Sequence, residues 1–250
     1  MSKQANKIFG VHPVLEAMQA GQSMEKILVR KGKQHERIKD IRRIAREQSI
    51  PVQEVPDEKL DRMSKQGNHQ GVVALVAAEE YQELEPILLK LQEEGTEPLL
   101  VMLDSVTDVR NFGAIARTVE ALGGHALIVP SKGSAALNAD AVRTSAGALS
   151  HLPVCRVDHL VDAVIMMQSY GIKTVGSTEK TSQLLHEMDL KGPICLVMGS
   201  EEKGIHNQLI RRLDELGSLP MRGQVESLNV SVAAGMALME IVRQRGVSNL

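Results

Sequence analysis

The stretch "LLVMLDSVTDVRNFGAIARTVEALG", Leu99 to Gly123, decides the fold. Leu99–Leu103 is an unbroken apolar run, the pattern of a strand buried on both faces. A polar loop follows, and from about Asn111 apolar residues recur at helical spacing. Three further apolar, β-rich runs follow: "ALIVP" (126–130), "KTVGS" (173–177) and "ICLVMG" (194–199). Helical segments near Gly113–Leu122, Ala139–Leu149, Leu160–Gln168 and Asn207–Arg212 separate them. Continuous apolar strands alternating with helices predict a parallel sheet covered on both faces.

Upstream the pattern is shorter-ranged. "HPVLEAMQAG" reads as a helix closed by Gly21, and "MEKILVR" as a strand. "HERIKDIRRIAREQ" reads as an amphipathic helix with Ile38, Ile41, Ile44 and Ala45 inward. "PVQEV" is a short strand, "DEKLDRMSK" a helix from Asp57, and "GVVALVA" a strand. This predicts a compact α/β module over residues 1–77. The acidic segment 78–97, with one possible helix at Glu85–Glu93, reads as a linker, and 98–250 as the second domain.

Composition narrows the class. The chain has 250 residues, 43% of them hydrophobic, with no Trp and only two Tyr and two Phe, so its core is aliphatic with Met as filler. The start, "MSKQANKIFG", has no apolar run of the secretory type, and no segment is long and apolar enough to span a bilayer. A cytoplasmic protein without membrane attachment is the expectation. Cys155 and Cys195 lie in strand-like runs and read as buried free thiols, and no Cys/His spacing suggests a metal. The net charge is only −2, but Lys26–Arg46 holds nine Lys or Arg against two acids. Such a block suits phosphate binding; a solvated helix face is the alternative. Arg30, Lys33, Arg42 and Arg43 are its candidate phosphate contacts. The scarcity of aromatics disfavours base stacking and favours recognition of shape and phosphates.

Three clusters in the second half carry the chemistry. In the first, Arg117 lies six residues beyond Asn111, almost two turns along a largely apolar helix. An Arg there suits phosphate recognition, or forms a structural ion pair with Asp104 or Asp108. In the second, "MGSEEKG", Met198 and Gly199 end a buried strand and Glu201 sits in a turn closed by Gly204. Paired glycines allow a ligand close to the backbone, or make a plain tight turn. The spacing matches neither a Walker A loop nor a dinucleotide-binding fingerprint. The third runs from Leu219, Pro220 and Met221 to "SLNVSVAAGMALMEIVRQR", Ser227–Arg245. Ser227 reads as the N-cap and Asn229 as a turn residue of a final helix, with Val232, Met236, Met239 and Val242 on its buried face.

In this order and near these separations, the clusters resemble the SpoU, or TrmH-type, branch of the SPOUT methyltransferases. Asn111-Phe112-Gly113-Ala114-Ile115-Ala116-Arg117 matches the N-x-G-x-x-x-R pattern, Met198 to Gly204 the middle motif, and Leu219-Pro220-Met221 with Ser227-Leu228-Asn229-Val230-Ser231 the last. "IFGVHPVLEAM" and "HQGVVALV" resemble the ribosomal-protein-like RNA-binding domain of the subgroup that modifies ribosomal RNA, nearest the RlmB-like enzymes. The resemblance implies a trefoil-knotted catalytic domain and a homodimer joined through it. It implies S-adenosylmethionine as cofactor, held by Met198, Gly199, Leu219, Met221 and Leu228. It implies methylation of a ribose 2′-hydroxyl, at a guanosine of 23S ribosomal RNA, with Arg117, Asn111, Glu201, Ser227 and Asn229 at the reacting centre. A transfer-RNA methyltransferase of the same superfamily and a noncatalytic RNA-binding assembly factor are the rival readings. A nucleotide-binding oxidoreductase is disfavoured by the missing glycine fingerprint.

Overall fold

The computed structural model describes residues 7–32, 36–65, 67–224 and 227–246. Two compact units emerge. One runs to Glu80 and takes in Ala136–Asp140; the other holds Tyr81–Ala135 and the chain from Ala141 onward.

The first unit is built from β1 (Lys7–Phe9), α1 (Val11–Gln19), β2 (Met24–Arg30), α2 (Glu36–Glu47), β3 (Val52–Val55), α3 (Asp57–Ser64) and β4 (Val72–Val76). Its sheet has the order β1-β4-β2-β3, with β2 and β3 parallel and the other pairs antiparallel. Alternation along β2 divides the core. Ile27 and Val29 face the apolar sides of α1 and α2, beside Val14, Met18, Ile38 and Ile41. Leu28 points the other way, into a smaller cluster with Val55, Leu60 of α3 and Val73. Within this unit Leu137 accepts a bond from Ala78 N at 2.9 Å and donates its own N–H to Glu25 Oε2 at 2.9 Å.

The second unit contains β5 (Tyr81–Gln82), α4 (Leu84–Glu93), β6 (Leu99–Asp104), α5 (Val109–Ala121), β7 (Ala126–Pro130) and the short α6 (Ala139–Thr144), which straddles the division. β8 (Val154–Val157), α7 (Leu160–Ser169), β9 (Lys173–Ser177), β10 (Ile194–Gly199), α8 (Asn207–Ile210), β11 (Glu215–Gly217) and α9 (Val230–Arg245) complete it. Its seven strands run parallel in the order β11-β9-β10-β6-β7-β8-β5. α4, α7 and α8 cover one face, over Leu100, Met102, Ile128, Cys155 and Val197. α5 and α9 pack against each other on the same sheet, α5 on β7 and α9 on β10. This is the parallel sheet flanked by helices that the apolar runs predict. Both cysteines are free and buried; burial pushes the Cys155 thiol up to about 12 and raises that of Cys195, so neither is a thiolate at neutral pH. Among the described residues no helix is long and apolar enough to cross a membrane, and no cluster of three His, Cys, Asp or Glu could hold a metal.

Three elements differ from the sequence reading. The segment read as a linker is folded into the second unit from Tyr81 on, because Leu84, Leu88 and Leu91 make one apolar face amid the glutamates. The helix read over Ala139–Leu149 stops at Thr144, where Ala146 and Gly147 take positive φ values of 52° and 91°. In α9 the N-cap is Asn229, not Ser227. Its buried face is Val230, Ala234, Ala237, Leu238 and Ile241, while Val232, Met236 and Met239 stand 51%, 44% and 50% exposed. α9 packs against α5, where a Cβ on Gly235 would meet the Thr118 methyl at an ordinary contact distance of 3.7 Å.

Two side chains staple the amino edge of this sheet. Arg245, in the last turn of α9, donates to the carbonyls of Glu97 (3.4 Å), Pro98 (2.7 Å) and Gly192. His125 Nδ1 accepts the Leu99 N–H at 3.0 Å, which requires a neutral ring.

Two outcomes follow from this packing. Leu88→Ala should cost about 2–5 kcal/mol in urea unfolding, and Leu89→Ala, at a half-exposed position, less than about 0.5 kcal/mol; equal small effects would mean that α4 is loosely attached. Burial lowers the pKa of His125 below 6.5. The unfolded chain therefore binds a proton that the native chain refuses, so stability is full above 6.5 and is lost as pH falls towards the native value. Thermal melts from pH 7.5 to 5 should show this slope, and His125→Asn should flatten it.

Candidate active site

Three loops meet beyond the carboxyl ends of β6, β9 and β10. The first begins α5. Asp108 is its N-cap and accepts from Arg110 N at 2.7 Å and Asn111 N at 3.0 Å; these bonds, Asn111 first, lower its carboxyl pKa. The cap fixes the first turn and with it the side chain of Asn111. The second is the turn from Gly199 to Gly204. A Cβ at Gly199 would lie 2.0 Å from the carbonyl carbon of Gly204, so the chain closes on itself this tightly only with glycine there. Gly204 N donates to Ser200 O at 2.8 Å, and Gly204 has a φ of 63°. The third runs from Ser218 into the start of α9.

Glu201 joins all three. Its Oε1 accepts from Asn229 Nδ2 at 2.6 Å, from Val230 N at 2.9 Å and from Asn111 Nδ2 at 3.4 Å. Asn229 Nδ2 also donates to Asn111 Oδ1 at 3.0 Å, while its Oδ1 accepts from the Ser231 and Val232 amides and the Ser231 hydroxyl. One carboxylate thus fixes two asparagines and one helix end.

Beside this network lies a cavity of about 470 Å³, within the ~300–1,000 Å³ range of small-ligand sites. Met198, Gly199, Leu219, Met221 and Leu228 all line it, as do Glu201 and Ser227. Asn111 and Asn229 stand behind Glu201 rather than in the lining. Arg117 is exposed on α5, is outside the cavity lining, and has no ion pair among the described residues. Its expected structural partners are engaged elsewhere: Asp108 caps α5 and Asp104 binds Ser105 Oγ and His206 N. The sequence reading missed Ser177, Thr178, Glu179, Lys180 and Ser218, which complete the wall. "GSTEK", directly after the apolar run "KTV", is the signal that could have found four of them: a polar stretch at a strand's carboxyl end.

The basic block of the first unit is less free than its charge count suggests. Arg30 is bonded to Asp57, Arg42 to Glu54 at 2.6 Å and Arg43 to Glu47 at 2.9 Å; Lys33 lies outside the described residues. Acids on neighbouring elements account for the first two pairs, and an acid one turn along α2 for the third. Lys31, Arg37, Lys39 and Arg46 are the exposed cations of the block without an ion-pair partner among the described residues, Arg37 bonding only His12 Nδ1 at 3.0 Å.

Comparison with known proteins gives concordant results. Residues 98–239 match the family model for the SpoU rRNA methylases, and residues 7–82 the model for RNA 2′-O ribose methyltransferase substrate binding. A putative TrmH family tRNA/rRNA methyltransferase of Bacillus subtilis, YacO, is 36% identical over 98% of this chain and 98% of its own length. The SpoU methyltransferase AviRb of Streptomyces viridochromogenes, solved in complex with the cofactor AdoMet, superposes with a TM-score of 0.59 at 28% identity, over 95% of this chain and 89% of that one. The TrmH/SpoU tRNA modifying enzyme of A. aeolicus superposes with a TM-score of 0.55 at 31% identity, covering 64% of this chain and 83% of that one.

Proposed function

Because this chain belongs to the SpoU rRNA methylase family, we propose that it methylates a ribose 2′-hydroxyl, at a guanosine, in 23S ribosomal RNA. It is an RNA methyltransferase that uses S-adenosylmethionine. One observation carries the assignment to this cavity: five residues from two separate segments, two at the end of β10 and three between β11 and α9, converge on a single space beside the Glu201 network. The lining suits the cofactor. Met198, Leu219, Leu228 and Val230 offer apolar contacts to an adenosyl group, and Glu201 offers negative charge near a sulfonium. When bound, the cofactor supplies an electrophilic methyl group; the chain's residues do the rest.

A 2′-hydroxyl is a weak nucleophile, so alignment matters most and can be worth on the order of 7–11 kcal/mol. The Glu201–Asn229–Asn111 network holds the reacting edge rigid. A guanidinium is a donor and not a general base, so the role of Arg117 is to hold the phosphate next to the target ribose and to stabilise charge developing on the ribose oxygen. The hydroxyl proton passes to a phosphate oxygen. Since Arg117 stands outside the cavity lining, the complete site includes the RNA, and we place a second copy of the chain on the exposed Val232–Met236–Met239 stripe of α9. RNA capture falls to the first unit. Lys31, Lys39 and Arg46 meet phosphates directly; Arg30, Arg42 and Arg43 exchange exposed partners that hold them by about 0–1 kcal/mol. The match of residues 7–82 to a substrate-binding model supports this, and the likeness to a tRNA-modifying enzyme supports transfer RNA as the second reading.

The test uses the purified protein, methyl-labelled S-adenosylmethionine and ribosomal RNA from cells lacking the gene. Label is expected at one guanosine of the large-subunit RNA, with alkaline cleavage blocked there, and Arg117→Ala should abolish it while leaving cofactor affinity near native. Label on transfer RNA alone would overturn the substrate, and an active Arg117→Ala protein would overturn that residue's role.

A further inference from the structure

Asp104 ends β6, the central strand, and is 7% exposed. A buried carboxylate is costly unless its oxygens are engaged. Both are: Oδ1 accepts the Ser105 hydroxyl at 2.9 Å, and Oδ2 accepts the backbone N–H of His206 at 2.7 Å. The second bond spans 102 residues. Directly after Asp104, Ser105 has a φ of 61°, a sparsely populated state for a residue with a side chain. Such strain persists where the surroundings over-determine it.

His206 is the far foot of the turn that carries Glu201. The near foot is held by the sheet, since Gly199 pairs with Asp104 itself in the β10–β6 register. The chain then leaves the sheet, turns through Glu201, Glu202 and Lys203, and returns at Gly204 and the buried Ile205. One residue thus grips both feet, by its backbone register and by its carboxylate. Between the feet, Glu201, Glu202 and Lys203 are exposed. The position of Glu201 depends on where its feet stand.

We propose that Asp104 is a positioning residue for methyl transfer: through the His206 amide it fixes the Gly199–Gly204 turn, and thereby the cavity wall and Glu201. This rests on the reading that the cavity holds S-adenosylmethionine. Asp104 touches neither cofactor nor substrate; it acts through hydrogen-bond geometry, so its charge is dispensable. An Asn can reproduce both bonds, its carbonyl accepting from His206 N and its amide donating to the Ser105 hydroxyl.

The experiment compares Asp104→Ala and Asp104→Asn by calorimetric binding of S-adenosylmethionine and by hydrogen exchange at the His206 amide in the cofactor-free protein. Asp104→Ala should weaken cofactor binding by about tenfold or more, the scale of one lost buried hydrogen bond, and speed that exchange. Its RNA affinity should stay native, and Asp104→Asn should restore both cofactor binding and exchange protection. Native cofactor affinity in Asp104→Ala would overturn the proposal, as would an Asn variant as impaired as the Ala one. If Asp104→Ala does not fold, His206→Pro removes the same bond from the donor side, at a φ of −62° that proline adopts. It should show the same loss, whereas His206→Ala, which keeps the amide, should bind the cofactor normally; native affinity in the Pro variant would overturn the proposal. Failure of the unmutated protein to bind S-adenosylmethionine would sink the cofactor reading instead, and unprotected exchange at His206 in that protein would sink the clamp.

Discussion

The site depends on one carboxylate oxygen. Glu201 Oε1 gathers two side-chain amides and one backbone amide from segments 28 to 90 residues away. The bond to Val230 N satisfies a donor at the start of α9 that has no partner within the helix. The bonds to Asn111 and Asn229 tie the start of α5 to the start of α9. Each partner is itself fixed: Asp108 caps α5, and Asn229 caps α9. A charged acceptor shared by three donors is stronger than neutral pairs would be, and shortening at 2.6 Å fits that. Removing Glu201 would leave two helix starts and the turn without their common point.

The fold was legible where one physical signal dominates. Strands β6, β7 and β10 are apolar on both faces, so the sequence of each is a near-continuous run, and β2 and β4 likewise carry enough Val, Ile and Leu to stand out. β1, β5 and β11 hold two or three residues each and are made by pairing rather than by composition, so nothing local marks them. α4 was read within one residue of its bounds, but its packing into the second unit was not, because its apolar face is diluted by glutamates on the others. α9 misled in a different way. It has two apolar stripes; the one with two Met and Val232 reads as core, but the stripe of Val230, Ala234, Ala237, Leu238 and Ile241 is the buried one.

The site was legible by its loops and not by its connections. The strand end and paired glycines at Met198 and Gly199 mark a ligand wall by themselves, whereas Leu219, Met221 and Leu228 were read from the family resemblance; all five line one cavity. Which carboxylate does the joining could not be read, because a hydrogen bond across 90 residues leaves no trace in spacing. The same holds for Asp104, which in sequence resembles any strand-end acid, and for the ion pairs that occupy Arg30 and Arg42, whereas Arg43 and Glu47 stand four apart on one helix, a spacing that can be read. A count of charges measures the field of a segment, not how many of its cations are already neutralised by neighbours.

α9 is held at both ends of the sheet it covers. Its start is fixed at the carboxyl edge by Glu201, and its last turn at the amino edge by Arg245. Between these anchors lie sixteen helical residues, so the helix works as a strut whose length must equal the distance between two fixed points. Adding or removing one residue would shift the far anchor by about 1.5 Å and turn it by about 100°. Arg245 would then miss its carbonyls, and the exposed stripe would face another direction. The exposed side chains of this helix are free to vary, whereas its residue count is tied to the length of the strands beneath it.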